Sequence, residues 1–173
     1  MNRRNTLKTL LVSTGGLMAL PSWANGWTVS DLTAHHTSYS ILEQDLLASV
    51  ADTIIPAGNS IGALSVGVDK YLQKLIDKCF EKEVQNNVKT QLTGLDGSAQ
   101  SAHGKSFVNC DQAQRLELLI RLSTSEKKEE KDFFGLMKSE TIRGFNTSKE
   151  VMIDFLHYKI FPGHYYGCVD VKA

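Results

Sequence analysis

Apolar residues recur every three to four positions from Ile41 almost to the C-terminus, and this spacing predicts helices throughout. Leu42, Leu46, Val50 and Ile54 fall four apart, with Leu47, Ala51 and Ile55 widening the stripe. Ser40-Ile41-Leu42-Glu43 opens this helix as a capping box, in which serine and glutamate side chains satisfy backbone amides reciprocally. Pro56 and Gly58 end it. A second helix is predicted from about Leu64 to Phe80, with Val68, Leu72, Leu75, Ile76, Cys79 and Phe80 facing the core. A third, shorter piece carries Val84, Val88 and Leu92, after which Gly94 and Gly97 punctuate the chain and Ser98 to Lys105 reads as an exposed loop.

Asp111-Gln112-Ala113-Gln114 is another capping box, opening a helix that should turn Leu116, Leu119 and Ile120 inward. Glu126 to Asp132 is a charge run, read as a solvated first turn. Phe133, Phe134, Met137, Thr141 and Ile142 then form the buried face, and Gly144 closes the helix. Thr147-Ser148-Lys149-Glu150 caps one more, with Val151, Met152, Phe155 and Leu156 inward. No β-branched alternation runs long enough to predict a sheet. The expectation is therefore an all-α fold: one compact domain of about five to six helices over residues 40–173, ending in an aromatic tail from about residue 161.

The first 24 residues do not share that pattern. Arg3 and Arg4 are adjacent, with Leu7 and Lys8 at the offsets of a twin-arginine export signal. A weakly apolar run from Thr9 to Leu20 follows, then Pro21, and Ser22-Trp23-Ala24 places small residues where a signal peptidase cuts, after Ala24. The run falls well short of the roughly 20 apolar residues that span a bilayer. Residues 1–24 are thus expected to be an export signal and 25–39 an irregular lead-in. A periplasmic location follows as the expectation. Proteins on this route cross already folded, so the chain either carries a cofactor or travels with something that does.

The whole chain balances 19 basic against 19 acidic residues. Removing Arg3, Arg4 and Lys8 with the signal leaves 16 against 19, a net of −3. Nucleic acid, which selects basic surfaces, is not an expected partner. The three cysteines, Cys79, Cys110 and Cys168, would sit in an oxidising compartment. Cys79 and Cys110 are a candidate internal pair, and Cys168, on the aromatic tail, is the cysteine expected to be unpaired or to reach a partner.

Catalytic patterns are missing where they would be recognised. No Gly-x-Gly-x-x-Gly or Gly-x-Ser-x-Gly occurs. Gly104-Lys105-Ser106 imitates the end of a P-loop, but Ala99 stands where its leading glycine belongs. Asp52 reads as a carboxylate binding a loop amide near a helix end rather than as a catalytic acid. His35 and His36 have no third ligand at metal spacing. The tail Phe161-Pro162-Gly163-His164-Tyr165-Tyr166-Gly167-Cys168 suits partner contact, with Pro162, Tyr165, Tyr166 and Cys168 as the candidate interface.

Asp52-Thr53-Ile54-Ile55-Pro56, Gly62-Ala63, Gly67-Val68, Phe133-Phe134 and the Pro162-to-Cys168 segment together resemble the gluconate 2-dehydrogenase subunit 3 family, over about residues 41–169. The resemblance implies a small, non-catalytic helical subunit of a periplasmic dehydrogenase complex acting on a sugar, sugar acid or polyol. It implies no cofactor in this chain and FAD in the large flavoprotein partner. A cytochrome c subunit is a further partner in some such complexes, and the twin-arginine translocase would read the signal. Two other readings stay open. One is an exported enzyme binding metal through His164, Cys168 and some of His35, His36, His103 and His157; the other is an unrelated periplasmic interaction module.

Overall fold

The structure is a computed structural model that describes residues 37–159 and Gly163. The expected export signal (Arg3, Arg4, Leu7, Lys8, Ala24) and the tail residues Pro162, Tyr165, Tyr166 and Cys168 lie outside the described residues. Among those described, all regular structure is helical, as the spacing predicts.

Helix α1 spans Ile41–Ile54. Its capping box is formed: the Ser40 amide donates to Glu43 Oε2 at 2.7 Å, and the Glu43 amide donates to Ser40 Oγ at 3.3 Å. Leu46, Leu47, Val50 and Ala51 are buried. At 1.5–3 kcal/mol per buried aliphatic side chain, as a rough scale, this helix anchors the core. It touches every other α-helix of the described chain.

Beyond α1, Gly62 lets the loop fold on itself, since a Cβ there would stand 2.4 Å from the Ala57 nitrogen. A 3-10 turn, Leu64–Val66, leads to Gly67, whose φ of 73° redirects the chain into α2, Val68–Cys79. The second predicted helix is therefore two pieces joined at a left-handed glycine. Its buried positions are Val68, Leu72, Gln73 and Ile76. Cys79, expected in the core, is exposed because it ends the helix, beyond the last buried position.

Helix α3 spans Lys82–His103, one continuous run of 22 residues. The short helix ending at Gly94 and the loop from Ser98 to Lys105 are both corrected by this. Val88, Leu92, Leu95 and Ala99 recur at four, three and four residues and are all buried, so packing carries the helix through both glycines. The stop comes at Gly104, with φ 68° and its amide bonded to the Gln100 carbonyl.

A 3-10 turn, Phe107–Asn109, precedes α4, Gln112–Thr124. The Asp111 capping box is present: the Gln114 amide donates to Asp111 Oδ1 at 2.9 Å, and the Asp111 amide donates to Gln114 Oε1 at 3.2 Å. Helix α5 spans Lys128–Asn146 and buries Phe133, Met137, Glu140, Thr141 and Gly144. Gly144 lies inside this helix rather than closing it. The last predicted helix is a five-residue π-helical turn, Val151–Phe155. Only Val151 of its apolar set is buried, while Phe155 and Leu156 are exposed.

The main core gathers side chains from α1 through α5 around Phe107 and Phe133, with Ile76 as the contribution of α2. A smaller one joins Ala51, Ala63, Val66, Val68, Leu72 and Val151 at the α2 side.

Candidate functional site

Polar side chains inside this bundle tie helices together. Arg115 of α4 meets Asp52 of α1 at 3.2 Å, with only 15% and 26% of the two side chains exposed. The same guanidinium donates to the Ser49 carbonyl at 3.5 Å, and Gln112 Nε2 donates to the Thr53 carbonyl at 3.2 Å. Asp52 is therefore an ion-pair partner across two helices, not a binder of a loop amide. Removing either member would leave a half-buried charge, so the seam is held by mutual dependence.

Asp77, which nothing in the spacing marks, organises the N-terminal end of the described chain. Its carboxylate accepts from Thr37 Oγ1 at 3.1 Å, the Ser38 amide at 2.9 Å and Ser38 Oγ at 2.6 Å. Lys89 donates to the Ser38 carbonyl at 2.9 Å and lies 5.0 Å from the centre of the Tyr39 ring. Burial, reinforced by the charges of Asp77 and Glu43, pushes the Tyr39 phenol well above its ordinary 10.0. The end of the expected irregular lead-in is thus pinned to α2 and α3.

Asp96 serves the same purpose at the other end of α3. It accepts from Ser106 Oγ at 2.5 Å and from the Phe107 amide at 2.9 Å. The P-loop-like Gly104-Lys105-Ser106 is accordingly a helix cap followed by a hydroxyl committed to Asp96.

On the α2–α5 contact, Tyr71 packs against Gly144, where a Cβ would sit 2.6 Å from the ring. Burial, then the Glu140 charge, raises the Tyr71 phenol above its ordinary value. Glu140 is itself buried, with Oε2 at 3.5 Å from Arg143.

The candidate Cys79–Cys110 disulfide is not formed. Both are free thiols, Cys79 exposed and Cys110 enclosed in the main core, so one sulfur faces water and the other is sealed beside Phe107. Among the described residues no three His, Cys, Asp or Glu side chains converge as a metal site. His103 lies at the end of α3 and His157 on the exposed stretch past Phe155, at φ 51°. Likewise, no described helix is long and apolar enough to cross a membrane.

What remains unabsorbed is apolar and outward-facing. Ile153, Phe155, Leu156 and Tyr158 are each at least half exposed on the last described turn, directly before the aromatic tail. On the bundle itself, Leu116 and Ile120 of α4 are 47% and 51% exposed, against the expectation that they face inward; Leu118 and Leu119 take the buried positions. Ile142 of α5 is also exposed. The cavity between α3 and α4, about 470 Å³, is lined by Gly94, Leu95, Ser98, Leu118, Arg121 and Leu122 among others and gathers no catalytic constellation.

Neither a search of curated proteins nor one of solved structures returned a match. Residues 42–163, from the first turn of α1 to the edge of the aromatic tail, match the family described as Gluconate 2-dehydrogenase subunit 3. On that match, which covers most of the chain, this protein belongs to the gluconate 2-dehydrogenase subunit 3 family.

Proposed function

We propose that this chain is the non-catalytic small subunit of a periplasmic, FAD-dependent dehydrogenase complex acting on a sugar, sugar acid or polyol. It binds the flavoprotein subunit, supports that subunit's folding, and carries it through the twin-arginine translocase. FAD belongs to the partner, and a cytochrome c subunit is the further component to look for. The observation that carries this reading is family membership over residues 42–163. It is supported by where the polar groups go: Asp52, Asp77, Asp96 and Arg115 are all committed to joining helices and loops. Arg3, Arg4, Leu7 and Lys8, with cleavage after Ala24, supply the export half of the proposal. The aromatic tail, with Pro162, Tyr165, Tyr166 and Cys168, supplies one anchor on the partner.

Cell fractionation tests the export half. Replacing both arginines (Arg3→Lys with Arg4→Lys) should strand this chain and the flavoprotein together in the cytoplasm. Flavoprotein reaching the periplasm undiminished in that strain would refute the carrier role.

A further inference from the structure

The cavity between α3 and α4 arises where two helical stripes meet without filling the space between them. Leu118, Arg121, Leu122 and Ser125 form one stripe along α4 and its cap, and Gln91, Gly94, Leu95 and Ser98 form the facing stripe of α3 at the same spacing. Leu95 and Leu118, each 2% exposed, make the floor. Above them Gly94 offers no side chain, and a Cβ there would meet nothing within 4 Å. About 470 Å³ stays open, within the range that holds a small molecule. A second hollow of about 560 Å³ continues along α3 past Gly97 and Ser101, and Arg121 lines both.

The two walls differ in chemistry. On the α4 side the Arg121 guanidinium has no ion pair or hydrogen bond among the described residues; even the exposed Glu117, one turn earlier, is not paired with it. The other rim charges, Lys127 and Glu130, stand 2.8 Å apart and offset each other. The cavity is therefore left with one uncommitted cation and its fork of N–H donors. On the α3 side, Gln91 Nε2 donates to Asn87 Oδ1 at 3.2 Å and Ser98 Oγ donates to the Gly94 carbonyl at 2.9 Å. Those bonds leave Gln91 Oε1 and the Ser98 oxygen as acceptors. Charged donors on one wall and neutral acceptors on the other suit a ligand with an oxyanion at one end and hydroxyl hydrogens beyond it.

We propose that this cavity binds a small hydroxy acid, with Arg121 taking the carboxylate through two parallel bonds and Gln91 and Ser98 accepting from the hydroxyls. The inference goes beyond the subunit reading and does not depend on it, since it stands on the side chains of α3 and α4 alone.

The test uses the full chain in the assembly it forms in its own host. Its readout is modification of Arg121 by phenylglyoxal, a reagent for guanidinium groups, followed peptide by peptide in the mass spectrometer. Saturating gluconate, a hydroxy acid, should slow modification of Arg121 at least about ten-fold and leave Arg143, exposed on α5, unaffected. Glucose, with hydroxyls and no charge, and acetate, with charge and no hydroxyls, should each protect far less. Gly94→Leu fills the cavity and should abolish protection, with an undiminished thermal midpoint to show that the fold is intact. Ser98→Ala, which removes an acceptor and leaves the helix unchanged, should weaken protection by gluconate and not by acetate. Acetate or inorganic phosphate protecting as well as gluconate overturns the hydroxy-acid assignment. Protection that survives Gly94→Leu places the ligand elsewhere and overturns the site. An Arg121 that gluconate does not protect, or that is unreactive before any ligand is added because a partner covers it, overturns it as well and leaves the subunit reading standing.

Discussion

Two regions place glycine within a helix and use it for opposite ends. In α3, a Cβ at Gly94 or Gly97 would meet nothing within 4 Å. In α5, a Cβ at Gly144 would stand 2.6 and 2.9 Å from Tyr71 ring carbons. The first pair is a local weakness that tertiary packing overrides, since Leu95 and Ala99 are buried on the opposite side of the same turns. The second is a contact that only glycine permits, and it fixes how closely α2 approaches α5. Burial of neighbours decides which is which; residue type alone does not.

That contrast is open to direct challenge. Gly144→Val should destabilise the fold by about 2–3 kcal/mol through overpacking against Tyr71, measured by urea unfolding. Combining it with Tyr71→Ala should give a loss clearly smaller than the sum of the two singles. Strict additivity would show that the close approach does not govern the site. Gly94→Ala and Gly97→Ala should act in the other direction, each stabilising by about 0.5–1 kcal/mol. A loss of stability at either would mean that the glycine is needed there.

Each region also holds a tyrosine, Tyr39 buried and Tyr71 partly buried, and the smallest predicted effect concerns the one beside α3. The Tyr39 hydroxyl is buried without a hydrogen-bond partner among the described residues, so Tyr39→Phe should be neutral or slightly stabilising at neutral pH. Its phenol titrates above 10.0 in the folded state. Above the ordinary value the unfolded chain therefore holds fewer protons than the folded one, and stability falls as pH rises past 10. Tyr39→Phe should flatten that alkaline decline in urea midpoints taken from pH 9 to 11. An unchanged slope would assign the decline to other groups, Tyr71 first among them.

Much of the fold was legible in the chain because its strongest signals are local. The Ser40 and Asp111 capping boxes each join residues three apart, and both form as their spacing requires. What was hidden depends on distant partners. Gly94 and Gly97 read as a helix end because intrinsic propensity is local, whereas the burial that overrides it is not. Helix α4 offers five aliphatic residues between Leu116 and Leu122, so periodicity leaves its inward side open. Arg115, by reaching Asp52, settles that side and leaves Leu116 and Ile120 outside. Asp77 binds residues nearly forty positions earlier, a link that no short pattern displays. Cys79 sits in phase with the buried stripe of α2 but past its last covered turn, so phase without neighbours misplaces it. The exposed apolar residues were only half readable for the same reason: the aromatic tail stands out in sequence, while the exposure of Leu116 and Ile120 emerges once the neighbours of α4 are known.

The most direct test of the account is to isolate the assembled complex, separate its subunits under conditions that keep both folded, and assay each for bound flavin and sugar oxidation. Flavin and turnover should remain with the large subunit, and this chain should hold neither. Turnover by this chain alone, or flavin that stays with it through separation, would contradict the assignment of the redox chemistry to its partner.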